Sequence, residues 1–145
     1  MLRNVMGFIV GFLVAGTLVG IIERMGHVAY PPPPGMDPSD TESIKAFMSQ
    51  IPLGGLMYIL VAWVAGTLAG SFAATRIARD SPRASATAVG AMMLFTSVYM
   101  MVTIPVPTWF WAAALIGVPL ATAVPIMKAT VKSTGEDRKT LPDSE

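Results

Sequence analysis

The residues with chemical capacity are few, and they gather just beyond one apolar run. Glu23, Arg24 and His27 follow the uncharged stretch from Val5 to Ile22. Glu23 and His27 are spaced i, i+4, so on a helix they share a face. A carboxylate and an imidazole so placed could pass a proton or begin a metal site. The terminal turn of an apolar helix is also where charged side chains anchor at an interface, and that reading stands first. A second group, Asp37, Asp40 and Glu42, offers oxygen ligands of the kind a divalent cation takes. It lacks the alternating ligand run and turn glycine of a calcium loop, and helix capping accounts for all three residues.

Little else in the chain could carry a reaction. There is one His and no Cys, so a catalytic triad, a multi-histidine zinc site or thiolate chemistry has no residues to draw on within one chain. No glycine-rich phosphate loop follows a strand, and no nucleophile has a nearby base. The eleven methionines include the pairs Met92, Met93 and Met100, Met101, which read as adaptable packing rather than a soft-metal surface. The expectation is a protein without catalytic, cofactor-binding or metal-binding residues, and with no nucleic-acid partner.

The elements that hold these residues are apolar helices. Val5 to Ile22, Leu53 to Ala74, Ala84 to Ile104 and Trp109 to Met127 contain no Asp, Glu, Lys or Arg. Each is long enough to cross a bilayer, for which a helix needs roughly 20 predominantly apolar residues. The composition agrees: 53% of residues are hydrophobic and 13% charged, where soluble domains carry about 25% charged. The predicted fold is an all-α polytopic membrane protein, an antiparallel four-transmembrane-helix bundle over residues 1–131. Its spans are placed at about 4–25, 53–79, 84–104 and 109–130, the outer loop at 26–52, and a polar cytoplasmic tail at 132–145. Arg3 ahead of an apolar run, with Val14-Ala15-Gly16 as a small-residue site, also has the form of a secretory signal. The run continues to Ile22, which favours a retained first helix.

Loop charge sets the orientation. Arg3, Arg76, Arg79, Arg83, Lys128, Lys132, Arg138 and Lys139 fall on one side of the four spans, and Arg24 and Lys45 on the other. An excess of Lys and Arg marks the cytoplasmic side, so both termini are expected there.

The outer loop has a structure of its own. Pro31 to Pro34 should leave the bundle as an extended stretch, ending helix one near Met25. Asp37 then suits an N-cap and Pro38 the first helical position. Ile44, Phe47, Met48 and Ile51 fall at i, i+3, i+4 and i+7, one apolar stripe on a short amphipathic helix. The expected arrangement folds this helix back over the outer mouth of the bundle. Ile44, Phe47 and Met48 then face apolar surface, and Asp37, Asp40 and Glu42 face water or a partner. With Glu23 and His27, these are the outer-face interaction candidates. Span four carries Pro119 and Pro125, which remove helix hydrogen bonds, and the tail after Val131 is polar enough to be disordered without a partner.

Val14-Ala15-Gly16-Thr17-Leu18-Val19-Gly20 recurs as Val64-Ala65-Gly66-Thr67-Leu68-Ala69-Gly70, six identities in seven at an offset of 50 residues. An inverted duplication of the transporter kind would produce such a match. Two independent small-residue packing faces would too, and the flanks extend the match poorly, so packing is the favoured reading. Gly16, Gly20, Gly66 and Gly70 are accordingly expected to join spans one and two.

Three stretches resemble a group of small four-helix bacterial inner-membrane proteins that have no assigned activity. They are Pro31-Pro32-Pro33-Pro34-Gly35-Met36-Asp37 with Asp40, Glu42, Ser43 and Lys45; Gly66-Thr67-Leu68 with Gly70; and Pro105-Val106-Pro107-Thr108-Trp109-Phe110. In that group a His often stands three residues before the Gly-Thr pair, where this chain has Trp63. The resemblance implies the four-span architecture and a bacterial plasma-membrane location. The functional expectation is a non-catalytic multi-pass protein acting through protein or lipid contacts, as an accessory subunit of a membrane complex or a homo-oligomer. Its partners would be the lipid bilayer and other membrane subunits or further copies of itself. The alternative is a small oligomeric transporter or channel.

Overall fold

The computed structural model describes residues 2–37, 39–78 and 80–140, and among them every regular element is a helix: α1 (Leu2–Ala29), α2 (Thr41–Gln50), α3 (Leu53–Ile77), α4 (Pro82–Thr103) and α5 (Thr108–Thr140). α1, α3, α4 and the Thr108–Thr130 part of α5 are long and apolar enough to cross a membrane. Helix one does not stop near Met25. Gly26 stays helical because it is buried against Tyr58, whose Cβ would lie 3.1 Å from a Cβ built at Gly26. The helix ends one turn later: the Tyr30 N–H donates to the Gly26 carbonyl at 2.7 Å, and Pro31 disfavours helical geometry in the residue before it. At the other end of the chain, the backbone of 132–140 continues α5 where a disordered tail was expected. A helix already nucleated over Thr108–Thr130 extends one residue at a time, which Lys132, Glu136, Arg138 and Lys139 favour and Gly135 opposes. Pro38, Arg79 and residues 141–145, which the sequence reading placed at a helix start, at the headgroups and in the tail, lie outside the described residues.

α3 packs against α1, α4 and α5, and α4 completes the group by touching α1 and α5. The closest seam joins α1 to α3. A Cβ built on Gly7 would lie 3.0 Å from the Ala78 Cβ, and one on Gly11 2.6 Å from the Gly70 carbonyl oxygen. One on Gly66 would lie 2.9 Å from the Ala15 carbonyl oxygen and 2.6 Å from Val19 Cγ2. Residue numbers rise along α1 as they fall along α3. Ala15 and Ala74 are fully buried within this seam. Backbones at such separations gain dispersion contacts along their whole length, and any added side chain removes them.

Gly66 and Gly70 therefore pack as the sequence suggested, whereas Gly16 and Gly20 do not. Both are exposed, and a Cβ at either would meet nothing within 4 Å. The α1 face is instead Gly7, Gly11 and Ala15, with a spacing of four residues. The heptad match misleads because Gly16 stands one residue, about 100° of helix rotation, beyond Ala15.

Three of the buried hydroxyls bond within their own helices, while Ser71 Oγ is buried without a hydrogen-bond partner. Thr67 Oγ1 donates to the Trp63 carbonyl at 2.7 Å, Ser97 Oγ to Met93 at 2.8 Å and Thr122 Oγ1 to Val118 at 3.0 Å. A polar tie holds the end opposite α2: Ser85 Oγ donates to the Asn4 carbonyl at 3.0 Å. Lys128 Nζ lies 5.3 Å from the centre of the Phe72 ring, also remote from α2.

Gly11→Ile and Gly66→Ile should each cost about 1 to 3 kcal/mol through overpacking. Gly16→Ile and Gly20→Ile should leave stability within about 0.5 kcal/mol. Thermal unfolding in detergent reads the difference; equal losses at all four positions would contradict the seam described here.

Candidate functional site

The seam's register determines which side chains meet at the α2 end. Continuing from Val19 against Gly66, the next turn of α1 sets Glu23 opposite Trp63, and the indole N–H of Trp63 donates to the Glu23 carboxylate. One further turn sets Gly26 against Tyr58, and the Tyr30 and Tyr58 rings meet edge to face with centroids 6.1 Å apart. Phe110, at the start of α5, packs edge to face on Trp63 at 5.5 Å and on Trp109 at 5.7 Å.

Above these residues the connection from α1 to α3 forms a roof. Pro33 to Met36 is a turn in which the Met36 N–H donates to the Pro33 carbonyl at 3.2 Å, and Gly35 has φ +85°. Pro at the second turn position and a residue with positive φ at the third define a type II turn, which is why glycine stands there. α2 starts at Thr41, capped by Asp40 rather than Asp37. The Asp40 carboxylate accepts from the Glu42 N–H at 3.2 Å, the Ser43 N–H at 3.1 Å and Ser43 Oγ at 2.8 Å. Asp37 acts one turn earlier, where its Oδ1 accepts the Ser39 N–H at 2.8 Å. Asp40 prevails because its backbone is extended, at φ −94° and ψ 115°, directly before the first helical residue.

No Cα of α2 lies within 8 Å of a Cα in another helix, so the roof rests on side chains alone. Ile44, Phe47, Met48 and Ile51 are half-buried and face downward, as their spacing predicts. Between them and the helices below is a cavity of about 300 Å³. Its floor is Trp63, Met101 and Phe110; its sides include Glu23, His27, Tyr58 and Ile59. The walls are almost wholly apolar, and the polar side chains among the described lining residues include the Glu23 carboxylate, the His27 imidazole and the Tyr30 and Tyr58 phenols.

Of the predicted outer-face residues, Glu23, His27, Ile44, Phe47 and Met48 converge on this cavity. Asp37, Asp40 and Glu42 do not. They remain on the exposed side in local bonds, Glu42 pairing with Lys45 at 3.0 Å. No group of three or more His, Asp or Glu among the described residues is placed to hold a metal ion. Tyr30, Tyr58, Trp63 and Phe110 are the site residues that sequence reasoning missed. The signal that could have found them is a concentration of aromatic residues in spans two and four at the depth of Glu23.

Comparison with family models, curated proteins and solved structures finds no match for this chain, so the site is read from its own geometry.

The Ser43 hydroxyl, then the Glu42 and Ser43 amides, hold the Asp40 carboxyl below the usual aspartate range. A depressed folded-state pKa means that the cap's contribution is complete above the ordinary aspartate range and is lost as pH falls through the lowered value. In an acid titration followed by NMR, the Glu42 and Ser43 amide protons should shift together with a midpoint below that of a free aspartate. Asp40→Asn should abolish the transition; a midpoint at or above the ordinary value would contradict the capping geometry.

Proposed function

We propose that this chain is a non-catalytic multi-pass membrane protein, an antiparallel four-span bundle that works by binding an apolar guest in the cavity beneath α2. The observation that carries the reading is the cavity itself. At about 300 Å³ it matches the lower end of small-ligand sites. It is lined by aromatic, aliphatic and methionine side chains and covered by a helix that touches the rest only through its side chains. The lining offers far more apolar surface than polar groups, which supports recognition of an apolar guest. The basic residues near Asn4, Phe72 and Arg83 support a cytoplasmic position for the opposite end, with α2 on the outer face.

Contacts between chains belong to the same reading. The α1 face bearing Gly16 and Gly20 is open, and a second copy or another membrane subunit approaching there would meet backbone rather than bulky side chains.

The test uses a Trp109→Phe, Trp111→Phe background, which leaves Trp63 as the fluorescent reporter on the cavity floor. Iodobenzene, an apolar heavy-atom quencher, should quench Trp63 saturably, and Ile59→Phe, which fills the cavity, should raise the midpoint about tenfold or remove saturation. Linear quenching, unchanged by Ile59→Phe, would mean partition into detergent and would overturn the reading.

A further inference from the structure

We propose that the guest is a lipophilic organic cation, an ammonium group attached to an apolar body, held between the Glu23 carboxylate and the aromatic rings that line the cavity; this rests on the reading of the cavity as a guest site.

The charge argument begins with Glu23. It is the one carboxylate among the described lining residues, and neither Lys nor Arg joins it there. An ionised carboxylate has about four lone-pair positions, and the Trp63 indole occupies one of them. His27 is the other polar side chain beside it, and His27 itself is exposed. A carboxylate brought into apolar surroundings loses hydration that one indole N–H replaces only in part, so a positive guest is favoured and an anion is repelled.

The rings give the same sign. Tyr30, Phe47, Tyr58, Trp63 and Phe110 line the same space, drawn from α1 and its end, the roof, α3 and α5. Aromatic faces attract cations, most strongly where water is excluded, and aromatic surroundings are the usual answer to quaternary ammonium groups. An inorganic cation fits poorly, since calcium takes six to eight oxygen ligands and magnesium retains its water, and these almost wholly apolar walls do not supply the oxygens. Met36, Met48, Met100 and Met101 complete the lining with flexible, polarisable surface that moulds to an apolar body without fixing its shape. The volume suits one ring or short alkyl body with its ammonium head.

Free organic cations and the choline headgroup of a lipid share this chemistry, and the experiment separates them. The full chain is taken in dodecyl maltoside, which carries no charge, with Trp63 as reporter. Benzyltrimethylammonium is compared with neopentylbenzene, the same shape with carbon in place of the charged nitrogen. The cation should bind at least about tenfold more tightly. Glu23→Gln, which keeps an oxygen acceptor for Trp63, should bring the two affinities together. Equal affinities in the unsubstituted site would overturn the cation assignment while leaving the apolar-guest reading intact; no saturable binding of either compound, with no effect of Ile59→Phe, would overturn both. Displacement of benzyltrimethylammonium by added dioleoylphosphatidylcholine, but not by dioleoylphosphatidylglycerol, would identify the choline headgroup as the source; retention against both would identify a free cation.

Discussion

The contact between α1 and α3 along Gly7, Gly11 and Ala15 on one side and Gly66, Gly70 and Ala74 on the other fixes everything built at the α2 end. In a bilayer, lipid tails are as apolar as the side chains they would replace, so helices gain little from hiding apolar surface from one another. What remains is close fit. A glycine lets a neighbouring carbonyl oxygen approach to where a Cβ would stand, as the Gly70 oxygen does at Gly11. Once this seam is set, the register beyond it is no longer free. Glu23 must face Trp63, and Gly26 must admit the Tyr58 ring.

The cavity follows from a mismatch between that tightly fitted seam and the loosely seated α2. A helix placed over the bundle end by side chains alone, with no backbone approach to close the gap, leaves space beneath it. Ile44, Phe47 and Met48 are half-buried, so each contributes less than the roughly 1.5 to 3 kcal/mol of a fully buried apolar side chain. Elements with such contacts are the first to open. Local bonding offsets part of this weakness: the type II turn at Gly35, the Asp37 turn and the Asp40 cap stiffen the path into α2 without drawing it closer.

Local features were readable from the sequence to the extent that they depend on neighbours in the chain. Four apolar helices, a short amphipathic helix after the proline run, and the downward stripe of Ile44, Phe47 and Met48 all follow from composition and spacing. Asp40 replaced Asp37 as the cap because both residues satisfy the preference, and only the backbone angles decide between them. Helix one runs past Met25 because Gly26 packs on Tyr58, a partner in another helix that spacing along the chain does not reveal. The same limit applies to the site. Spacing put Glu23 and His27 on one face, but Trp63 and Phe110 reach that face through a register between helices that periodicity does not encode. The heptad repeat concealed this register by drawing attention to Gly16 and Gly20, which point away from the seam.

The register between α1 and α3 is the claim from which the site descends, and the absence of cysteine makes it directly measurable. A Cβ at Gly7 would lie 3.0 Å from that of Ala78, close to the spacing that a disulfide requires after slight relaxation, whereas nothing lies within 4 Å of a Cβ at Gly16. Mild oxidation of Gly7→Cys paired with Ala78→Cys in native membranes should give rapid cross-linking within one chain, and Gly16→Cys paired with Gly70→Cys should give little. Cross-linking of the second pair with none of the first would contradict the register and, with it, the placement of Glu23 against Trp63.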